Sequence, residues 1–329
     1  MKKFINAPGT LLEESLDGFA RAHAGLVRLG EERRFIARAA LSPGKVGLVS
    51  GGGSGHEPMH AGFIGYGMLD AACPGQVFTS PTPDQIVAAI EAVDTGAGVL
   101  LVVKNYEGDV MNFEMAAEIT GSTIATVITD DDVAVEASTW STGRRGVAGT
   151  LVVEKLLGAA AEEGRPLAAL KELGDAVNRR TRSMGVALTS CTVPAAGTPT
   201  FQIGEDEMEM GVGIHGEPGR RRVTLASADA IAEELVEAVL KDLDPPPGAP
   251  CVLLVNGFGG TPMIELDLMV EAAGRILDRH GVKVARYLTG NYVTSLEMAG
   301  CSISLSALDE DWLRLWDAPV HTATLRWGR

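Results

Sequence analysis

Cysteine is scarce in this 329-residue chain: four residues, Cys73, Cys191, Cys251 and Cys301, lie far apart with no C-x-x-C pair. Two bridges are arithmetically possible, but a chain of this size does not need them, and reduced thiols are expected. A secretory signal is not expected either, since Met1-Lys2-Lys3 has no apolar run behind it. No apolar stretch reaches the length a membrane-spanning helix needs. Basic residues are in deficit, 28 Lys and Arg against 43 Asp and Glu, for a formal charge of −15. Phosphate backbones and anionic membranes are therefore poor partners, because binding them needs clustered cations. Nor is there a Walker A loop, an internal repeat at solenoid period or a low-complexity segment. A cytoplasmic protein that binds neither nucleic acid nor membrane is expected.

Apolar residues make up 46% and charged residues 22%, an ordinary globular composition long enough for two domains. Thr10-Leu11-Leu12-Glu13 reads as a capping box opening a helix through about Val27. Val46–Ser50 is a short buried strand emptying into the glycine-rich loop Gly51-Gly52-Gly53-Ser54-Gly55-His56-Glu57-Pro58. Another strand is expected over Gln76–Ser80 and a helix over Pro83–Val93. The run Val99–Val103 has the unbroken apolar character of a strand covered on both faces. It ends in Lys104-Asn105-Tyr106-Glu107-Gly108-Asp109, where Asp109 could cap the next helix. A strand over Ser122–Thr129 precedes a polar segment, Asp130–Gly146, that suits a lid or partner-facing loop.

Helices are expected over Thr150–Glu162, Leu167–Thr181, Ala228–Leu243 and 262–280. Further strands are expected over Met184–Thr189, Cys251–Val255, Val282–Leu288 and Ser302–Leu305. The strand–helix pattern restarts near residue 182, predicting two α/β domains, residues 1–182 and 183–329. Each has a mostly parallel or mixed sheet flanked by helices.

Ligands in open α/β sheets bind outside the carboxyl ends of strands. Residues 51–58, 104–109 and 256–262 all follow strands and are expected to share one sheet edge. His56-Glu57-Pro58-Met59-His60 matches the H-E-x-x-H zinc signature, but Pro58 prevents the continuous helix that would place both histidines on one face. A backbone cradle for an oxygen-rich ligand, with His56 hydrogen-bonding to it, fits better. Lys104 and Asp109 read as a cation and a carboxylate facing that ligand, Asp109 placed for acid–base work. Separately, His215 lies among four glycines and a proline in residues 211–219. A ligand can approach such a backbone closely, and the imidazole could act as nucleophile, base or metal ligand.

Gly-Gly-Gly-Ser-Gly-His-Glu-Pro at 51–58, Lys-Asn-Tyr-x-Gly-Asp at 104–109 and Gly-Ile-His-Gly-Glu-Pro-Gly at 213–219 resemble the dihydroxyacetone-binding subunits of the dihydroxyacetone kinase family. The resemblance extends, in order, to residues 256–262, 294–300 and 326–328. It implies that His215 adds through a ring nitrogen to the ketone of dihydroxyacetone, giving a covalent hemiaminal. It implies too that Gly53, Ser54, Gly55, His56, Lys104 and Asp109 hydrogen-bond the substrate, with Asp109 or His56 taking the proton of the attacking hydroxyl. No cofactor or metal is expected on this chain. The phosphoryl donor, ATP or a recharged ADP with Mg²⁺, is expected on a separate nucleotide-binding L subunit, because family members with both functions carry a second domain after this one. A homodimer is also implied, and a pocket is expected in which the 51–58 and 104–109 loops of the first domain face His215 of the second. A ketose sensor using the same residues, or a kinase subunit for another short ketose such as erythrulose, are the alternatives.

Overall fold

Every residue of Val99-Leu100-Leu101-Val102-Val103 is buried, which a strand achieves only when both faces of its sheet are covered. The computed structural model of the chain describes residues 2–134, 143–217 and 219–329. They form two compact units, Met1–Thr129 with Val153–Ala176 and Arg314–Arg329, and Asp130–Val152 with Val177–Leu313. Residues 130–152 and 314–329 thus each group with the unit whose bulk lies across residue 182 in sequence.

The first unit begins with α1 (Leu11–Ala22), β1 (Val27–Leu29), β2 (Ile36–Arg38), β3 (Gly47–Ser54), β4 (Gly65–Tyr66) and β5 (Ala71–Val77). Helix α2 (Pro83–Val93), β6 (Val99–Lys104), α3 (Glu107–Ile119) and β7 (Ile124–Thr129) follow. Its sheet has the order β1-β2-β5-β3-β6-β7; β5, β3, β6 and β7 run parallel and the first two pairings are antiparallel. Val49, Leu101 and Val103 pack with Ile86 and Ile90 of α2 and Phe113 of α3. Lys104 shares strand parity with Leu100 and Val102, so it belongs to the opposite face. Two further helices, α4 (Thr150–Glu162) and α5 (Leu167–Arg179), come next in the chain.

The second unit holds β8 (Thr181–Ala187), β9 (Glu207–Met210), β10 (Arg221–Thr224), α6 (Ala228–Leu243), β11 (Cys251–Gly257), α7 (Met263–Arg279), β12 (Val284–Gly290) and β13 (Gly300–Ala307). Its sheet order is β10-β9-β8-β13-β11-β12, with only β11–β12 parallel. Cys251, Leu253 and Val255, alternate residues of β11, pack against Leu235 of α6 and Leu266 and Ile276 of α7, the period-two pattern of a strand facing helices. After α8 (Glu310–Asp317), β14 (Val320–Thr322) pairs with β4 and with β15 (Arg326–Trp327) in a small antiparallel sheet of the first unit. Two mixed sheets flanked by helices match the fold expected from the sequence.

The departures are local. Helix α1 stops at Ala22, because Val27–Leu29 leaves helical geometry to pair with β2. The strand placed at Gln76–Ser80 is β5, five residues earlier at its start. Residues 51–54 are not loop but the end of β3, paired with β5 through Ser54↔Val77. Asp109 does not cap α3; Tyr106 holds that position and Asp109 lies in the first turn. Of the segment read as a lid, residues 135–142 lie outside the described residues, while Asp131 and Asp132 are buried. All four cysteines are buried and unbridged, and no helix among the described residues is long and apolar enough to cross a membrane.

Candidate functional site

Strands β3 and β6 stay paired only as far as Ser50↔Val102, whereas β3 continues against β5. Beyond Ser50 the two strands part, and the side chain of Lys104, the last residue of β6, reaches the Gly51 carbonyl instead (Nζ···O 3.1 Å). Glycine is required where they part. A Cβ on Gly52 would stand 2.3 Å from Lys104 Nζ, and one on Gly53 would stand 2.6 Å from the Thr79 nitrogen. Residues 51–53 thereby bring no side chains of their own to the strand end, and a buried cation can lie against them.

Lys104 is fully buried, so its ammonium must be compensated within the protein. Besides Gly51, it meets Asp109 Oδ2 at 3.5 Å and donates to His60 Nε2 at 3.1 Å. Burial first, and then the charges of Lys104 and His56, hold the His60 imidazole well below its ordinary pKa. The ring is therefore neutral, with its proton on Nδ1, from which it donates to Glu154 Oε1 at 2.7 Å. Ser50 Oγ lies 3.1 Å from the same nitrogen and donates to the Val102 carbonyl. Burial pushes the Glu154 carboxyl up to about 8 against the opposing influence of Lys104 and Ser50. Asp109 is 3% exposed, and its Oδ1 is buried with no hydrogen-bond partner among the described residues. A hydroxyl donor is the complementary group for such an oxygen.

His56 is buried and stacks on Phe78, ring centroids 5.0 Å apart. Ser54 Oγ donates to the Gly75 carbonyl at 2.7 Å, leaving its oxygen to accept. The Gly55 N–H points to the Glu57 carboxylate at 3.0 and 3.1 Å. Residues 57–60 form turns rather than a helix, in keeping with the rejection of H-E-x-x-H as a zinc site. Among the described residues no group of three or more His, Cys, Asp or Glu is placed to hold a metal. A mostly apolar cavity of about 370 Å³ lies between Leu12, Leu16 and Phe19 of α1 and the Gly52–Ser54 strand end. Its wall shares Gly52, Gly53, Ser54 and His60 with the polar cradle but does not include Lys104, Asp109 or His56.

In the second unit, the loop after β9 carries His215, whose side chain is 23% exposed. Positive φ at Gly211 and Gly216, +76° and +70°, turns the backbone sharply on either side. The His215 N–H donates to Glu217 Oε2 at 2.8 Å, and Nδ1 lies 3.9 Å from Glu217 Oε1. Arg145 ties this loop down: it pairs with Asp132 at 2.6 Å and Glu217 at 3.3 Å and donates to the Gly211 carbonyl at 2.8 Å. Burial raises the Glu217 carboxyl, but the hydrogen bond and charge of His215, together with Arg145, hold it at about 2. A permanent carboxylate therefore stands beside the imidazole.

The structure brings His56, Lys104, Asp109 and residues 53–55 into the first unit and His215 into the second. The 256–262 stretch does not share the sheet edge of the other two loops, since it follows β11 of the second sheet. Its polar groups serve the fold. Asn256 Nδ2 donates to Val293 O, its Oδ1 accepts from the Tyr292 and Val293 N–H groups, and Thr261 Oγ1 donates to Gly300 O. Sequence reasoning missed Glu154 and the role of His60. The available signal was a Glu-Lys pair inside the otherwise apolar Thr150–Ala161 stretch.

The family model described as Dak1 domain matches residues 17–324. The chain is 50% identical over 326 residues to the PTS-dependent dihydroxyacetone kinase 1, dihydroxyacetone-binding subunit DhaK, of Listeria innocua, covering 98% of this chain and 99% of that one. The crystal structure of the dihydroxyacetone kinase of C. freundii superposes with a TM-score of 0.90 at 32% identity, over 99% of this chain. This chain spans 60% of the C. freundii one. The dihydroxyacetone kinase operon co-activator DhaQ superposes with a TM-score of 0.89 at 34% identity, over 95% of this chain and 97% of that one.

Proposed function

Because the chain belongs to the Dak1 domain family, we propose that it is the dihydroxyacetone-binding subunit of a two-component dihydroxyacetone kinase. The observation that carries this reading is the cradle at the end of β3. A buried ammonium, a buried carboxylate with one unpartnered oxygen and bare glycine backbone suit a small, uncharged, hydroxyl-rich ligand. Identity of 50% to a DhaK subunit over nearly all of both chains supports the same substrate.

His215 captures the ketone. The carboxylate of Glu217 beside Nδ1 favours the proton there and the lone pair on Nε2, which adds to the carbonyl carbon. The carbon–oxygen π bond breaks as the nitrogen–carbon bond forms, and the proton displaced from the ring ends on the former carbonyl oxygen. Glycerol has no carbonyl and is not retained. Gly53, Ser54, Gly55, His56 and Lys104 orient the hydroxyl groups, and Asp109 or His56 accepts the proton of the hydroxyl that is phosphorylated.

The phosphoryl donor is a nucleotide with Mg²⁺ on a separate L subunit. The sequence has no phosphate-binding P-loop of its own. The protein works in the cytoplasm, as a homodimer. A second reading, a dihydroxyacetone sensor, is favoured by the likeness to the operon co-activator. Retention of Lys104, Asp109 and His56 fits the kinase better, since a sensor needs capture alone.

Carbon-13 NMR of carbonyl-labelled dihydroxyacetone tests the capture. A protein-broadened tetrahedral carbon, distinct from the free hydrate and absent in His215→Ala, is expected. A bound carbon that remains a ketone would refute the hemiaminal. Turnover on adding an L subunit from a dihydroxyacetone kinase and its phosphoryl donor separates kinase from sensor.

A further inference from the structure

Lys104 can orient a substrate only if its own ammonium is fixed, and the groups that fix it extend away from the substrate side. Of its three partners among the described residues, Gly51 O belongs to the backbone and Asp109 to the proposed acid–base machinery. The third, His60, is anchored in turn by Glu154 of α4, 94 residues away in sequence. All four members of the chain Asp109–Lys104–His60–Glu154 are buried. Building on the function proposed above, we propose that His60 and Glu154 are positioning residues, holding the Lys104 ammonium against the glycine strand end and tuning how tightly it pairs with Asp109.

The geometry gives the coupling a direction. A neutral His60 accepts from Lys104 at Nε2 only while Nδ1 carries the proton, and an acceptor at Glu154 Oε1 fixes that tautomer. When Glu154 ionises, the Nδ1–H···O bond becomes charge-assisted and Nε2 a stronger acceptor. Lys104 is then drawn toward His60 and away from Asp109. The ionisable and polar groups facing this chain are Ser50 from β3, His56 and His60 from the following turns, Lys104 from β6 and Asp109 from α3. Lys155, the next residue of α4, is committed elsewhere, donating to the Leu315 carbonyl at 2.7 Å. Glu154 Oε2 is buried with no hydrogen-bond partner among the described residues, which favours a carboxyl that keeps its proton near neutrality. Its ionisation is expected at about pH 8.

Glu154→Gln retains an acceptor oxygen for His60 but cannot ionise, and Glu154→Leu removes the acceptor as well. Both are compared with the parent chain in the complete kinase, with an L subunit and saturating donor, from pH 6 to 9.5. The parent kcat profile is expected to show an inflection near pH 8 that Glu154→Gln lacks, while the rate of Glu154→Gln at pH 7 stays within about threefold of the parent. For Glu154→Leu, kcat should fall on the order of 10- to 100-fold, as misplacing a positioning group by about 1 Å can do, with a smaller change in KM. The labelled-ketone signal on His215 should persist in both variants, and Glu154→Gln serves as the folded comparison if Glu154→Leu is unstable. An unchanged inflection in Glu154→Gln overturns the proposal, as does a parental kcat in a folded Glu154→Leu. Absence of the His215 adduct in the parent chain would instead refute the capture mechanism, so the two failures are distinct.

Discussion

Substituting Gly52 by alanine tests whether the bare strand end is there for Lys104. The added Cβ would stand 2.3 Å from Nζ and 3.4 Å from Asp109 Oδ2. Ordinary contact lies at about 3.5 Å, so Nζ must move by roughly 1 Å. The end of a lysine usually moves at little cost. Here it is fully buried and held at 3.1 Å by both Gly51 O and His60 Nε2. Losing one hydrogen bond to a charged donor costs about 1.5–3 kcal/mol, partly offset by the roughly 0.5–1 kcal/mol that alanine contributes by restricting the unfolded chain. A net destabilisation of about 1–2 kcal/mol is expected, with dihydroxyacetone affinity reduced on the order of 10- to 100-fold. Gly18→Ala is the control. It lies inside α1 with nothing within 4 Å of the added Cβ, and should raise stability by about 0.5–1 kcal/mol. Urea unfolding gives the stabilities, and titration of labelled dihydroxyacetone followed by NMR gives the affinities. Gly52→Ala with parental urea midpoint and parental affinity would refute the close-packed Lys104 cradle.

Glu217→Gln removes the carboxylate held at about 2 beside His215. The fraction of His215 adduct at fixed dihydroxyacetone should fall about tenfold, equivalent to about 1.4 kcal/mol, as read from the tetrahedral carbon signal; an unchanged fraction would remove Glu217 from the capture step. Glu154 titrates at about 8 when folded against an ordinary 4.5, so the folded state holds the proton over that window and stability is lost as pH rises through it. Glu154→Gln should therefore lose less stability than the parent between pH 5 and 9, by at most about 5 kcal/mol, in urea unfolding at each pH. Parallel pH dependences would show that Glu154 is already ionised at low pH.

What could be read in advance follows from how local the information is. Helices α2, α4 and α6 fall at the residues where the periodicity placed them, since each carries a long apolar stripe. Lys104 and Asp109 were found because the end of a fully apolar strand is a place where polar residues need a reason. The short strand β10 was not legible: Arg221–Thr224 is mostly exposed and is a strand only because it pairs with β9. The glycine run reads as loop in the sequence for the converse reason. Low strand propensity was overridden by pairing with β5. His60 suggests a metal ligand in the sequence because His56 and Glu57 stand beside it there and Glu154 does not.

The protonation of Glu154 bears on why a fully buried lysine is tolerated beside a reacting hydroxyl. With Glu154 neutral, as expected near pH 7, and His60 neutral, the chain of buried groups carries one positive charge on Lys104 and one negative charge on Asp109. The two cancel within these four groups, which meet an uncharged triose with hydrogen bonds rather than net charge. An ionised Glu154 would leave the buried groups net negative, where a phosphoryl group with its own negative charge must approach. The same carboxyl, by accepting from His60 Nδ1–H, supplies the second anchor that a displaced lysine would lack. Glu154 thus meets two requirements with one proton: it fixes the His60 tautomer that holds Lys104, and it adds no negative charge in the way of the incoming phosphate.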